Sequence, residues 1–278
     1  LIHSLLRQDF LATPHFYFTT TTMKFLSAFL LVYQALITKS TATAASPTVK
    51  IQFYGEAQCP FCRQFFTEVF VPQVWLDVEG LRQHIDFDMV AWGNSYFATV
   101  ECGKGPYSSD ERACWYKKCM ANNLQHDCEC FKGDSVYQHG EKEGIVDVYE
   151  TCIKVDYSLE DAVAFTYCAE GSIMDNQDLK AEQILKICSV SLNNVDSDAV
   201  QRCYEERGKK LEIANAQATP EHPGVPYVLL DGESLDNPMG IKAAICDALQ
   251  TKGIDKLPDS CNNGNAHRNH LRTHKATK

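Results

Sequence analysis

The 278-residue sequence contains no Asn-X-Ser/Thr sequon, since Asn94-Ser95-Tyr96 and Asn215-Ala216-Gln217 both fail at the third position. An N-glycan sorting tag is therefore excluded. Positive charge is also scarce: 26 Lys and Arg face 36 Asp and Glu, and the net charge of −10 argues against a nucleic-acid binder. A conventional zinc site lacks its second ligand pair, because Cys128-Glu129-Cys130 has a single intervening residue and no His pair stands at matching spacing. Beyond the N-terminal region no run is long and apolar enough to cross a bilayer. The final Lys275-Ala276-Thr277-Lys278 is not an ER-retention signal.

Cysteine, in contrast, is abundant. Thirteen cysteines outside a zinc pattern point to an oxidising compartment. The N-terminus agrees: Met23-Lys24, the apolar run Phe25 to Ile37 and the small residues Thr41-Ala42-Thr43-Ala44-Ala45 read as a signal peptide over 23–45. Residues 1–22 precede the Met that starts it and read as a gene-model extension. The remaining chain, 45% hydrophobic and 22% charged overall, suffices for one substantial domain with an insertion.

The chemistry concentrates at Cys59-Pro60-Phe61-Cys62. A buried-strand pattern, Val49 to Tyr54, leads into it, and an apolar helical run beginning Arg63-Gln64-Phe65-Phe66 follows. Strand, CxxC and helix in that order predict a thioredoxin-like redox site. Cys59 would sit at the helix N-terminus, where unpaired N–H groups and the macrodipole stabilise a thiolate, and Pro60 suits the first turn. Cys59 is then the exposed attacking thiolate and Cys62 the buried resolving thiol. Half of a zinc site and a structural bridge are the competing readings of the same motif. Glu56, if close, would oppose thiolate formation.

The helix is expected from Pro60 to about Phe70, closing near Pro72, with Phe61, Phe65, Phe66, Val69 and Phe70 on its core face. Residues 85–92 alternate and predict a second, parallel strand. Residues 96–136 lose periodicity and collect five cysteines, Cys102, Cys114, Cys119, Cys128 and Cys130, which suggests a disulfide-pinned surface excursion. A helical insertion over 145–210 follows, with a capping-box start at Ser158-Leu159-Glu160-Asp161. Next comes His222-Pro223-Gly224-Val225-Pro226-Tyr227-Val228, a short β-run in which Pro226 is either an ordinary trans proline or the cis-proline of a thioredoxin-like site. In the cis reading Val225 and Pro226 bind the extended substrate. Ile241 to Leu249 predicts a last amphipathic helix. Residues 262–278 read as a disordered basic tail whose His267, His270 and His274 are solvated.

Several segments together resemble the gamma-interferon-inducible lysosomal thiol reductases. They are Glu56 to Cys62 with Phe65-Phe66, Trp92-Gly93-Asn94, Gln138-His139-Gly140-Glu141-Lys142-Glu143, Cys152, Tyr167-Cys168-Ala169-Glu170, Cys188, Cys203, Ala214-Asn215-Ala216-Gln217, Val225-Pro226-Tyr227-Val228, Cys246 and Cys261. The resemblance covers residues 49–261 apart from the excursion. It implies an α/β, thioredoxin-like fold with a helical insertion, and reduction of substrate disulfides in an acidic endolysosomal compartment or after secretion.

The departures are informative. The family signature Cys-Gln-His-Gly-x-x-Glu-Cys-x-x-Asn has Tyr137 at its first cysteine, Gly144 at its second and Asp147 at its asparagine. Joint loss of both cysteines is expected if they bridge each other. The signature then reads as structural, and His139 as a positioned or surface histidine. Six family-like cysteines (Cys152, Cys168, Cys188, Cys203, Cys246, Cys261) can form three bridges. The five of the excursion form two and leave one as a free thiol or an intermolecular partner.

The expected activity is that of a thiol-disulfide oxidoreductase. It acts on disulfide-bonded proteins, needs no cofactor or metal, and draws electrons from a small-thiol reductant. A secretory-pathway oxidase or isomerase, and a non-enzymatic disulfide-rich binding protein, are the rivals. The chain is expected in the secretory pathway, destined for the lysosome or secretion, with no nucleic-acid partner and no membrane association after signal removal.

Overall fold

A computed structural model describes residues 46–120, 128–192 and 194–262. The expected extension at 1–22, the signal peptide at 23–45 and the tail beyond Asn262 lie outside these residues. Strand β1 (Val49–Gly55) is alternately and then wholly buried. Helix α1 (Pro60–Gln64) runs on without a break into a wider, π-wound segment (Phe65–Trp75), which leads back to β2 (Ile85–Ala91). β2 pairs parallel to β1, Val49 opposite Ile85 and Gly55 opposite Ala91, as a strand–helix–strand crossover requires.

The helix does not close near Pro72 but passes through it to Trp75. Proline cannot donate to the ladder of the wider turn. The Gln73 side-chain Nε2 donates back to Glu68 O across this turn at 3.1 Å. Phe61 also departs from expectation, being 64% exposed. Cys62 takes the inward position of the first turn, and Phe61, about 100° round the helix, turns to solvent. Phe65, Phe66 and Phe70 do line the core, with Phe53 and Phe87 of the strands stacked against them at centroid distances of 5.2 Å (Phe53–Phe65) and 4.3 Å (Phe70–Phe87).

The stretch at 96–136 holds more structure than its composition suggests. It contains β3 (Tyr96–Phe97), α2 (Ser109–Trp115) and β4 (Ser135–Val136), with β3 and β4 paired antiparallel. Ser108 caps α2 by accepting from Glu111 N at 3.4 Å. Trp115, Phe97, Phe131 and Trp92 pack into a second hydrophobic cluster. Two bridges, Cys102–Cys114 and Cys119–Cys130, staple it. The side chain of Cys128 lies outside the description.

Four helices form the insertion: α3 (Glu141–Asp156), α4 (Leu159–Asp175), α5 (Ala181–Val190) and α6 (Ser197–Ala218). Ser158 caps α4 by accepting from Asp161 N at 3.0 Å. Cys152–Cys203 joins α3 to α6, and Cys168–Cys188 joins α4 to α5. β5 (Tyr227–Leu230) then returns antiparallel to β1 and is followed by β6 (Glu233–Ser234), completing the order β2-β1-β5-β6. The last bridge, Cys246–Cys261, ties α7 (Ile241–Thr251) to α8 (Asp259–Asn262). The six family-like cysteines thus pair among themselves.

Candidate active site

The site is built where β1 ends. Cys59 occupies the N-cap of α1 with an extended backbone, and Pro60 opens the helix. Cys59 and Cys62 are both free thiols. Contrary to the expectation of an exposed nucleophile, Cys59 is only 5% exposed, because the loop before it is drawn inward by three carboxylates. Asn94 N donates to Glu56 Oε2 at 2.5 Å, Ala57 N to Asp147 Oδ1 at 2.8 Å, and Gln58 N to the Glu170 carboxylate. Asp147 comes from α3 and Glu170 from α4, so the helical insertion fixes the backbone that leads into Cys59. Gln58 itself has φ of 67°, a left-handed conformation that the flanking contacts hold in place.

Hydrogen bonding lowers the Cys59 thiol to about 6. The Cys62 thiol, which donates to it, contributes most; the Cys62 and Phe61 N–H groups and the charge of His139 add to this, while burial opposes it. Burial pushes Cys62 well up. The two thiols therefore divide into an ionisable outer group and a protonated inner one. Alkylation of the reduced chain should show a single reactive thiol, Cys59, whose rate titrates with a midpoint about 6. A midpoint above 8, near an ordinary thiol, would contradict this environment.

Pro226 is brought to the same end of the sheet. Tyr54 pairs with Tyr227 in antiparallel register, which places Pro226 level with Gly55, and the Val225–Pro226 peptide is cis. Behind it, His222 is buried beside Arg112 of α2, whose Nη2 donates to His222 Nε2 at 2.8 Å; Gly93 O lies 3.1 Å from the same nitrogen. Burial, then the Arg112 charge, depresses His222 to about 4, so it is neutral across the physiological range. Arg112 was not marked by the sequence; its only signal is the Ser108-Ser109-Asp110-Glu111 helix start just before it.

The Gln138-His139-Gly140-Glu141-Lys142-Glu143 segment folds against Trp92-Gly93-Asn94. Buried Glu143 accepts from Ser95 Oγ at 3.1 Å, Gln138 N at 3.2 Å, His139 N at 2.8 Å and His139 Nδ1 at 2.6 Å. His139 is therefore positioned, and its pKa is raised chiefly by that hydrogen bond to Glu143. Gly93, at φ 56°, lies so close to Glu56 that a Cβ would fall 2.1 Å from Oε2, and no other residue fits. Asn215 of α6 fastens the end of β2, donating from Nδ2 to Ala91 O at 2.9 Å and Thr151 Oγ1 at 2.7 Å.

Beneath Cys62 lies a cavity of about 10 Å³ lined by Glu56, Glu150, Thr166 and Glu170 among others, room for about one water. Burial first, then neighbouring negative charge, raises Asp147 and Glu150 well above the carboxylate range, and burial raises Glu170 to about 8. Glu56 is raised well above that range by burial first and then by the Glu143 charge, with the Cys59 charge adding to this.

The two missing signature cysteines are neighbours in space. A Cβ on Gly144 would lie 2.0 Å from Tyr137 Cζ, so the tyrosine ring occupies the space above the glycine. The Tyr137 hydroxyl donates to Glu212 of α6, which holds the ring there. Gly144→Ala should cost about 1–3 kcal/mol by overpacking. The same change in a Tyr137→Ala background should cost less, as thermal unfolding of the four chains would show; equal costs would mean that the ring yields freely.

Comparison relates the chain to known proteins. Residues 50–132 match the family model described as gamma interferon inducible lysosomal thiol reductase (GILT). The gamma-interferon-inducible lysosomal thiol reductase of Mus musculus is 26% identical over 221 residues, covering 78% of this chain and 73% of the relative. The gamma-interferon-responsive lysosomal thiol protein of Arabidopsis thaliana is 25% identical over 235 residues, covering 81% and 80%. Among solved structures, oxidised BdbD from Bacillus subtilis is similar with a TM-score of 0.45 and 11% identity, over 75% of this chain and 90% of that one. The chain is a thiol-disulfide oxidoreductase with a thioredoxin-like fold. Within that class it is similar to the gamma-interferon-inducible lysosomal thiol reductases.

Proposed function

We propose that Cys59 and Cys62 are the redox pair and that the chain reduces disulfides of protein substrates in an acidic endolysosomal or extracellular setting. The Cys59 thiolate attacks one sulfur of the substrate disulfide, and the other leaves as a thiolate that takes a proton from water. Cys62 then attacks the Cys59 sulfur of the mixed disulfide, expels the second substrate thiol and closes Cys59–Cys62. A small external thiol reopens it. Val225 and Pro226 hold the substrate strand, since a proline level with the end of β1 leaves the Val225 backbone free to pair.

The observation that carries the reading is the thiol pair itself: Cys59 at a helix N-terminus, lowered to about 6 by a hydrogen bond from Cys62. One unit below its pKa a thiol is still about one-tenth ionised, whereas an ordinary one is ionised several hundredfold less. The acidic setting is supported by the buried Asp147, Glu150 and Glu170, which favour their neutral forms. The test is reduction of a denatured disulfide protein at pH 5 and pH 7 by the mature chain. Activity at both is expected, and activity confined to neutral pH would instead favour a secretory-pathway oxidoreductase. Among the excursion cysteines, Cys128 is the one left for a free thiol or an intermolecular disulfide, because the other four bridge each other.

A further inference from the structure

We propose that Glu56, His139 and Glu143 form a binding site for a divalent cation of the zinc class, beside the redox pair. One carboxylate oxygen from each glutamate and the His139 ring nitrogen lie within 4.8 Å of one another. His139 Nδ1 stands 3.6 Å from Glu56 Oε1 and 2.6 Å from Glu143 Oε2. Both glutamates are buried, at 4% and 0% exposure, while His139 opens to solvent and gives a cation its way in.

Glu56 Oε1 points to a ligand independently of the cluster. It is buried without a hydrogen-bond partner, although its sister oxygen is fixed by Asn94 N. An orphaned buried carboxylate oxygen facing an imidazole nitrogen costs free energy that a cation would recover. The outer donors are in place as well: Ser95 Oγ and Gln138 N hold Glu143 Oε1, leaving Oε2 toward the imidazole. Two carboxylates face a single imidazole. Arg112, whose charge reaches Glu56, is engaged with His222.

One imidazole nitrogen and two carboxylate oxygens suit zinc better than magnesium or calcium, which prefer all-oxygen shells. A cation here would take the place of the proton between Nδ1 and Glu143 Oε2, and that proton would pass to solvent. The Cys59 charge acts on both Glu56 and His139. A bound cation would therefore place positive charge where the Cys59 thiolate feels it.

The test uses the full oxidised chain, whose Cys59–Cys62 disulfide removes the thiols as competing ligands, titrated with zinc against a chromophoric chelator. One equivalent is expected to bind. His139→Gln and Glu143→Gln should each weaken it about tenfold or more. The Cys59→Ser/Cys62→Ser chain, and one with His267, His270 and His274 changed to Asn, should bind as the parent does. Thermal unfolding without zinc shows whether each variant is folded, and His139→Gln, altered at the rim, serves if Glu143→Gln is not. No binding by the parent, undiminished binding by folded His139→Gln, or loss of binding with the tail histidines would overturn the proposal.

Discussion

Cys59→Ser is expected to lower disulfide reduction by about three orders of magnitude or more, because a serine hydroxyl is not ionised at any pH where the chain works. Cys62→Ser should act differently. It leaves the attacking sulfur and, because a serine hydroxyl also donates, keeps a hydrogen-bond donor beside it, whereas Cys62→Ala removes the donor that contributes most to the lowered Cys59 pKa. The Cys59 alkylation midpoint should therefore rise in Cys62→Ala, and in either variant turnover should stop after one attack, since nothing resolves the mixed disulfide. If Cys59→Ser retained substantial reductase activity, the attacking thiol would be another cysteine; a parent chain with no activity would favour the binding-protein reading instead.

The second large effect concerns stability and pH. Glu170 has a folded-state pKa of about 8, above its ordinary value, so it favours folding while protonated. That contribution is complete below the unfolded carboxylate range and is lost as pH rises toward 8. Asp147 and Glu150, raised by burial and by neighbouring carboxylates, act in the same direction. His222 has the opposite sign. Depressed to about 4, it contributes stability above its ordinary pKa and loses it as pH falls below that value. The comparison least affected by it is pH 6 against pH 8, made on the oxidised chain so that Cys59 does not titrate. Between these values Glu170 alone should contribute on the order of 2–3 kcal/mol in favour of pH 6, or roughly 5–10 °C in thermal midpoint. Glu170→Gln, which keeps an acceptor for Gln58 N, should flatten the dependence. A parent chain equally stable at pH 8 would mean that the buried carboxyls are solvated and ordinary.

The candidate thiol pair was legible because its physics is local. A strand pattern, a CxxC and a helix start fix where Cys59 and Cys62 stand, and Pro226 before the Tyr227-Val228 run marks the strand beside them. The surroundings of the site were not legible. Glu143, Asp147 and Glu150 recur at i, i+4 and i+7 on α3, a stripe that ordinarily faces water. Here it faces inward, because α3 packs with its acids over the Glu56–Gln58 loop, whose free N–H groups need acceptors. Only that tertiary placement distinguishes a buried acidic stripe from a solvated one. Similarly, 96–136 read as structureless because Gly103, Gly105 and Pro106 break the pattern. Yet the Ser108 cap and Trp115 were already signs of the short helix that carries Arg112 to His222.

The most direct test of the account is the identity of the covalent intermediate. Cys62→Ser, reduced and mixed at pH 5 with a denatured disulfide protein, should accumulate a mixed disulfide, and peptide mapping should place the linkage at Cys59. A chain that traps no substrate, or traps it through another cysteine, would contradict the assignment of Cys59 as the attacking thiolate.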